Sequence, residues 1–388
     1  MKIKAVALLV LVTALFPSWA RAWGGVAPSA LQCSVLFSGV KPQPVDRFGI
    51  RIEFVRNATS SAQSKLELVD RIADDDVRKV LMQLQGLAKI YEASDLSEQT
   101  KAEFKEFRMQ MKEVEGYSGD LGRVKDLYNR SKEIGVSKQL LSKIDDRVHE
   151  KRKEIAAHLK DLKWWPDLQG KMAELEERIG DLDFQKRKKD SRRQIEAVLN
   201  IVDETRTELK GLAEFFSHET FEEDELNNGP HRMRRALRWI TTIMQSAEGT
   251  FTLADPHPKT PFERALAAKY GSNKYIVLSP VGRAAIDPIP LMYLAKFVTE
   301  LGKLKDYKET QLDLAQVFLD EGWAKNRTEA EQKALEIAAK KYGPIIGNGT
   351  GAGSVETEAR KLYRLYLAKD PLKALHRSLK SALEDLND

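Results

Sequence analysis

Residues 77–90 read VRKVLMQLQGLAKI, and this stretch decides the fold. Its apolar side chains Val77, Val80, Leu81, Leu84, Leu87 and Ile90 return at spacings of three and four, with charged and amide groups between them. At about 100° per residue that spacing draws one apolar stripe along a helix, whereas a half-buried strand needs strict alternation. The rhythm begins at Leu66, Val69 and Ile72 and continues to about His218, which predicts an amphipathic helical bundle or antiparallel coiled coil over residues 61–226. Proline agrees: of 14 prolines only Pro166 falls between residues 45 and 229, where proline would interrupt helices. Turn signals at Tyr117-Ser118-Gly119, at Gly135 and at Trp164-Trp165-Pro166 predict the breaks between helices. The expected fold class is all-α, a long helical hairpin or bundle followed by a second helical unit over residues 227–388.

Upstream of this territory the character changes. Residues 23–60 carry Gly24, Gly25, Pro28, Pro42 and Pro44, and Arg51 to Arg56 (RIEFVR) alternates polar and apolar like a short strand, so an irregular lead-in is expected. Residues 1–22 have Lys2 and Lys4, an apolar run from Ala5 to Phe16, and the small-x-small triplet Ala20-Arg21-Ala22. That order predicts a Sec-type signal peptide cleaved after Ala22 and a periplasmic or secreted protein. The apolar run is shorter than the roughly 20 residues a membrane-crossing helix takes, and no later segment is long and apolar enough either. With Cys33 as the single cysteine, no internal disulfide forms and packing must supply the stability. The formal charge of +5 falls to +2 once Lys2, Lys4 and Arg21 leave, 60 basic against 58 acidic residues, so anion binding would depend on local patches.

Downstream, Asn227-Asn228-Gly229-Pro230 predicts a stop and a restart, with Pro230 in a first helical turn. Residues 249–290 carry six prolines and read as an irregular crossing segment. Helices are expected over Leu291 to Leu319, Thr328 to Tyr342 and Ser354 to Lys369, and Pro371 opens a last one. The glycine-rich stretch Gly347 to Gly353 lacks a P-loop ending and reads as a linker. The basic run KRKKDSRR, residues 186–193, and the acidic run ETFEEDE, residues 219–225, read as solvated faces.

The helix that begins at Pro230 carries the chemistry. His231, Arg234, Arg235, Arg238, Thr242 and Gln245 share one sector, while Met233, Ala236, Leu237, Ile240, Ile243 and Met244 share the opposite one. An apolar face is thus made for a core, and the other face stacks three guanidinium groups and an imidazole with no acid among them. Like charges at this spacing repel, so stability alone would alternate the signs. Guanidinium forks match phosphate and carboxylate oxygens, and the imidazole beside an anion would gain a proton near its ordinary pKa of about 6.5. His149, Arg152 and Lys153, with Lys160 and Lys163, repeat the arrangement on an earlier helix. Two such faces turned together would make a cationic groove suited to a linear polyanion.

The pattern His-x-x-Arg-Arg-x-x-Arg at His231 to Arg238, followed by a helix ending Glu300-Leu-Gly-Lys-Leu-Lys-Asp306, resembles the CHAD family, the conserved histidine α-helical domain. The resemblance extends over residues 231–315, its specific matches lying at 231–238 and 301–306. It implies a helical bundle with a basic groove that binds inorganic polyphosphate or a similar phosphate polymer. Carried over by position, it implies His231, Arg234, Arg235 and Arg238 as groove residues, with Lys305 in the place of the family's helix-end basic residue.

Two functional classes follow from the residues. One is an exported, non-catalytic binding protein for polyanions such as polyphosphate, envelope phosphate polymers or extracellular nucleic acid. The other is an envelope scaffold that pairs with another protein, its basic face being an ion-pair seam satisfied by acids such as Glu222, Glu223, Asp224 and Glu225. No catalytic triad, paired carboxylates or activated cysteine is framed for an enzyme, and His158, His218 and His257 lack metal-ligand spacing. No cofactor is expected.

Overall fold

A computed structural model describes residues 44–60, 62–161, 187–217, 223–346 and 354–386, with single positions 173 and 221. The expected signal peptide, Cys33, the Trp164-Trp165-Pro166 break, His218, Lys163 and the Gly347 to Gly353 linker lie outside the described residues, as does the side chain of Lys160. The fold is all-α, with two three-residue strands as its described sheet. The helices are α1 (Pro44–Ser60), α2 (Lys65–Ile72), α3 (Asp75–Glu92), α4 (Glu98–Ile134), α5 (Lys138–Asp161), α6 (Arg187–Lys210), α7 (Glu223–Leu226) and α8 (Arg232–Ser246). Strands β1 (Phe251–Leu253) and β2 (Ala284–Ile286) flank α9 (Pro261–Tyr270), and α10 (Pro288–Asp320), α11 (Arg327–Ile346), α12 (Val355–Lys369) and α13 (Pro371–Asp385) complete the order.

Three local expectations are corrected. Arg51 to Arg56 is not a strand but the middle of α1, because Phe48, Ile52, Val55 and Thr59 form a buried stripe at spacings of three and four that outruns the six-residue alternation. Tyr117-Ser118-Gly119 does not break a helix, since α4 runs unbroken for 37 residues. Its buried positions Phe104, Phe107, Met111, Val114, Ser118 and Leu121 carry one stripe straight through the supposed turn. Gly135 does end it, in the left-handed region at φ 76°. Asn227-Asn228-Gly229-Pro230 is no stop either: α7 passes through a wide π turn, Asn227–His231, into α8. Pro230 lacks the N–H and its ring would strike the carbonyl four residues back, which a wider turn avoids.

The irregular segment contains more order than its prolines suggest. Thr260 and Glu263 cap α9 reciprocally, with Pro261 in its first turn. The parallel strands pair Phe251 with Ala284 and Leu253 with Ile286. Gly282 permits the pairing, because a Cβ there would lie 2.4 Å from the carbonyl carbon of Phe251.

The described helices belong to one compact unit, Lys41–Asp388, and the regions before and after residue 227 share their cores. One apolar cluster joins Ile90 of α3, Ile195 and Val202 of α6, Leu237 and Ile240 of α8, Phe297 and Leu301 of α10, Tyr366 of α12 and Leu375 of α13. A second joins Leu127 of α4, Ile144 of α5, Leu314 and Phe318 of α10 and Ala334 of α11. Amid the apolar packing lies a polar knot. Arg47 of α1 bonds Asp190 of α6 at 3.0 Å and the Glu248 carbonyl at 2.7 Å, and Arg51 bonds Gln83 at 3.1 Å and Glu248 at 3.2 Å. Tyr91 and Gln194 also bond Asp190, at 3.2 and 2.9 Å. Asp190 is 3 % exposed, so the basic run at 186–193 is not a solvated face throughout: its one acid is the hub of this knot. No helix among the described residues is long and apolar enough to cross a membrane.

Candidate functional site

Helix α8 packs its apolar face on α3, α6 and α10, which leaves the His/Arg face at the junction of α3 and α10. Arg234 points its Nε at the carbonyl of Val298 on α10, 3.3 Å away. That approach depends on Gly302, one helical turn along α10: a Cβ there would lie 3.0 Å from the same Nε. Glycine inside a helix costs about 0.5–1 kcal/mol relative to alanine, and here the missing side chain is the room the guanidinium occupies.

Lys305 lies on the same helix as Gly302. Its Nζ meets Glu309 at 2.6 Å and Asp306 at 3.7 Å. Glu309 is buried, and its other oxygen stands 4.0 Å from Nδ1 of His231. The Nδ1 atom is buried without a hydrogen-bond partner. Burial, and then the positive charges of Lys305, Arg235, Arg234 and Arg238, push the His231 pKa down to about 3. The expectation that this ring titrates near 6.5 is therefore corrected for the ligand-free protein, in which the imidazole is neutral at physiological pH.

Arg238 is the most confined cation of the set. Its Nε is buried with no partner, and burial followed by the charges of Arg234 and Arg78 lowers its pKa to about 10, against the opposing pull of Glu115. Arg235, by contrast, is exposed. Among the described residues, none of Arg234, Arg235 and Arg238 has a carboxylate within the 4.0 Å of an ion pair. Of the upstream acids, Glu223 lies 3.6 Å from Arg123, which bonds Asp313 at 2.7 Å, and Arg232, on the flank of α8, bonds Glu208 at 2.6 Å, while Glu222 lies outside the described residues.

The structure thus gathers His231, Arg234, Arg235, Arg238 and Lys305 and leaves the earlier basic helix elsewhere. His149 is exposed, its ring against its own helix at Asp145. Arg152 is bonded to Asp70 of α2, and Lys153 is exposed. Helix α5 packs on α4 and α2, while α8 packs on α3, so α4 and α3 intervene between the two basic helices. The condition for a shared groove, two basic faces turned together, is not met by this packing, and the cluster is built on α8 and α10. His376 pairs with Asp203 at 3.3 Å, away from the cluster.

Sequence reasoning missed two members of the site's surroundings. Arg78 of α3 belongs to an ordinary amphipathic run and shows its relevance only through its proximity to Arg238. Glu309, four residues after Lys305, was readable as an i,i+4 partner. Among the described residues no group of His, Cys, Asp and Glu is arranged to hold a metal ion. No protein-family model, curated protein or solved structure matches the chain.

Proposed function

We propose that this is an exported, non-catalytic binding protein for phosphate-rich polyanions, with Arg234, Arg235, Arg238 and Lys305 as the anion contacts and His231 as a proton-linked neighbour. The observation that carries the reading is the set of three α8 arginines without a carboxylate partner among the described residues. Grouping like charges and part-burying them costs stability, and an anion that bridges them offsets the cost through charge-assisted bonds. An ion-pair seam would have supplied acids in their place, as Arg147 and Lys143 of α5 find Asp320 at 2.6 Å and Glu321 at 3.1 Å. The partial resemblance to CHAD proteins points to the same ligand class, inorganic polyphosphate or a related phosphate polymer.

The test is a titration of the mature protein and of an Arg235→Gln/Arg238→Gln variant with long-chain polyphosphate at about 50 and 200 mM salt. Wild-type affinity should fall steeply with salt, by analogy with counterion release from nucleic acids, and the double variant should bind at least tenfold more weakly with an unchanged fold. Lowering the pH from 7.5 to 6 should favour binding, since a bound anion returns the His231 pKa toward its ordinary value. Equal, salt-insensitive binding by both proteins, or binding by neither, would leave the scaffold reading in front.

A further inference from the structure

Arg78 lies outside the helix that carries the other arginines, yet the fold treats it as it treats Arg234. Within α4, Gly116, Gly119 and Gly122 recur every third residue and so share one side of the helix. A Cβ at Gly119 would stand 3.2 Å from Nη2 of Arg78, closer than an ordinary contact, while one at Gly122 would meet Nη1 at an ordinary 3.5 Å, so the end of the guanidinium rests where Gly119 lacks a side chain. Gly302 stands in the same relation to Nε of Arg234. Two separate helices thus give up side chains at the point where a guanidinium of the cluster settles.

Arg78 has one carboxylate partner, Glu115, whose Oε1 lies 2.9 Å from both Nε and Nη2. A tie between α3 and α4 would need no more than that pair. It would not need Arg78 within electrostatic reach of Arg238, whose buried Nε has no partner. Helices α3 and α8 pack together, the two guanidinium groups repel across that junction, and Glu115, bonded to Arg78, only partly offsets the repulsion. An oxyanion seated between them would receive bonds from each and screen their repulsion.

Resting on the anion-binding reading above, we infer that Arg78 is a further contact of the bound anion, and that the site spans α3, α8 and α10 with the glycine notches of α4 and α10 holding two guanidinium groups in place. The ligand chemistry this selects is a multiply charged oxyanion with oxygens on more than one side, phosphoryl groups above all. A single carboxylate has too few oxygens and too little charge to answer cations from three helices.

The experiment is calorimetric titration of the full-length mature protein with tripolyphosphate, comparing wild type, Arg78→Gln, Glu115→Gln, Gly302→Ala and the Arg235→Gln/Arg238→Gln variant, with a thermal melt on each to report folding. Arg78→Gln should weaken binding about tenfold and flatten the salt dependence. Glu115→Gln breaks the same α3–α4 tie but removes a negative charge from the site, so it should bind as well as wild type or more tightly. Gly302→Ala, with every charge kept, should weaken binding by crowding Arg234. If Arg78→Gln binds like wild type while Arg235→Gln/Arg238→Gln has lost affinity, Arg78 is only a structural tie and the inference falls while the α8 site stands. If Arg78→Gln and Glu115→Gln weaken binding equally and melt equally early, the effect is structural and the inference likewise falls. If wild type and Arg235→Gln/Arg238→Gln do not differ, the underlying anion site fails, and this extension with it.

Discussion

His231 makes the folded protein sensitive to mild acid, and the size of the effect can be worked out. Its pKa is about 3 in the fold and near 6.5 in an unfolded chain, so the unfolded state takes up the proton first. Stability contributed by the neutral ring is complete above about pH 6.5 and is lost as the pH falls from there toward 3. Between pH 7.5 and 5 the unfolded chain gains nearly a full proton at this position while the folded chain gains almost none, a loss of about 2 kcal/mol. The side chain is 20 % exposed, so solvent screening trims this figure without abolishing it. The assay is urea denaturation of wild type and His231→Gln at the two pH values. Wild type should lose between about 1 and 2 kcal/mol more than the variant, because the other histidines are common to both. Equal losses, within about 0.5 kcal/mol, would refute the claim that burial and four neighbouring cations hold this ring neutral.

Two further outcomes are expected. Glu309→Gln removes the carboxylate that holds Lys305 at 2.6 Å and faces His231, so it should tighten polyphosphate binding about threefold to tenfold in titration while costing about 1–3 kcal/mol of stability in denaturation. Asp190→Ala leaves Arg47 buried without its counter-charge and should cost about 3–5 kcal/mol in the same denaturation assay, with no specific effect on anion affinity.

The helices were legible because their signal is local. Spacings of three and four survive in any window long enough to hold two turns, as in Val77 to Ile90 or Phe104 to Leu121. The strand reading of Arg51 to Arg56 failed because six residues are too few to separate the two periods, and the buried stripe of α1 extends beyond them on both sides. The α8 half of the site was legible for the same reason, its cations lying on one helix face. Arg78 was not, since its approach to Arg238 is set by how α3 packs on α8. The fate of Asp190 was equally hidden: inside KRKKDSRR nothing local separates a buried hub from a solvated acid, and the arginine that decides it lies 143 residues earlier. Gly119 was hidden in the same way: Gly116, three residues earlier on α4, faces open space, so nothing in their recurrence marks the one that meets Arg78.

The polar knot at Arg47 has a consequence for the order in which the molecule assembles. The first described helix finds its anchors 143 and 201 residues further along the chain, at Asp190 and at the carbonyl of Glu248. Closing loops of that length is slow and is rewarded only when both ends are already in place. Helix α1 therefore acts as a latch fastened late, after α6 and the turn beyond α8 have formed its strike plate. Until it closes, Asp190 lacks its Arg47 partner and the floor beneath α3 stays open, so a growing chain cannot fasten α1 before residue 248 has been made.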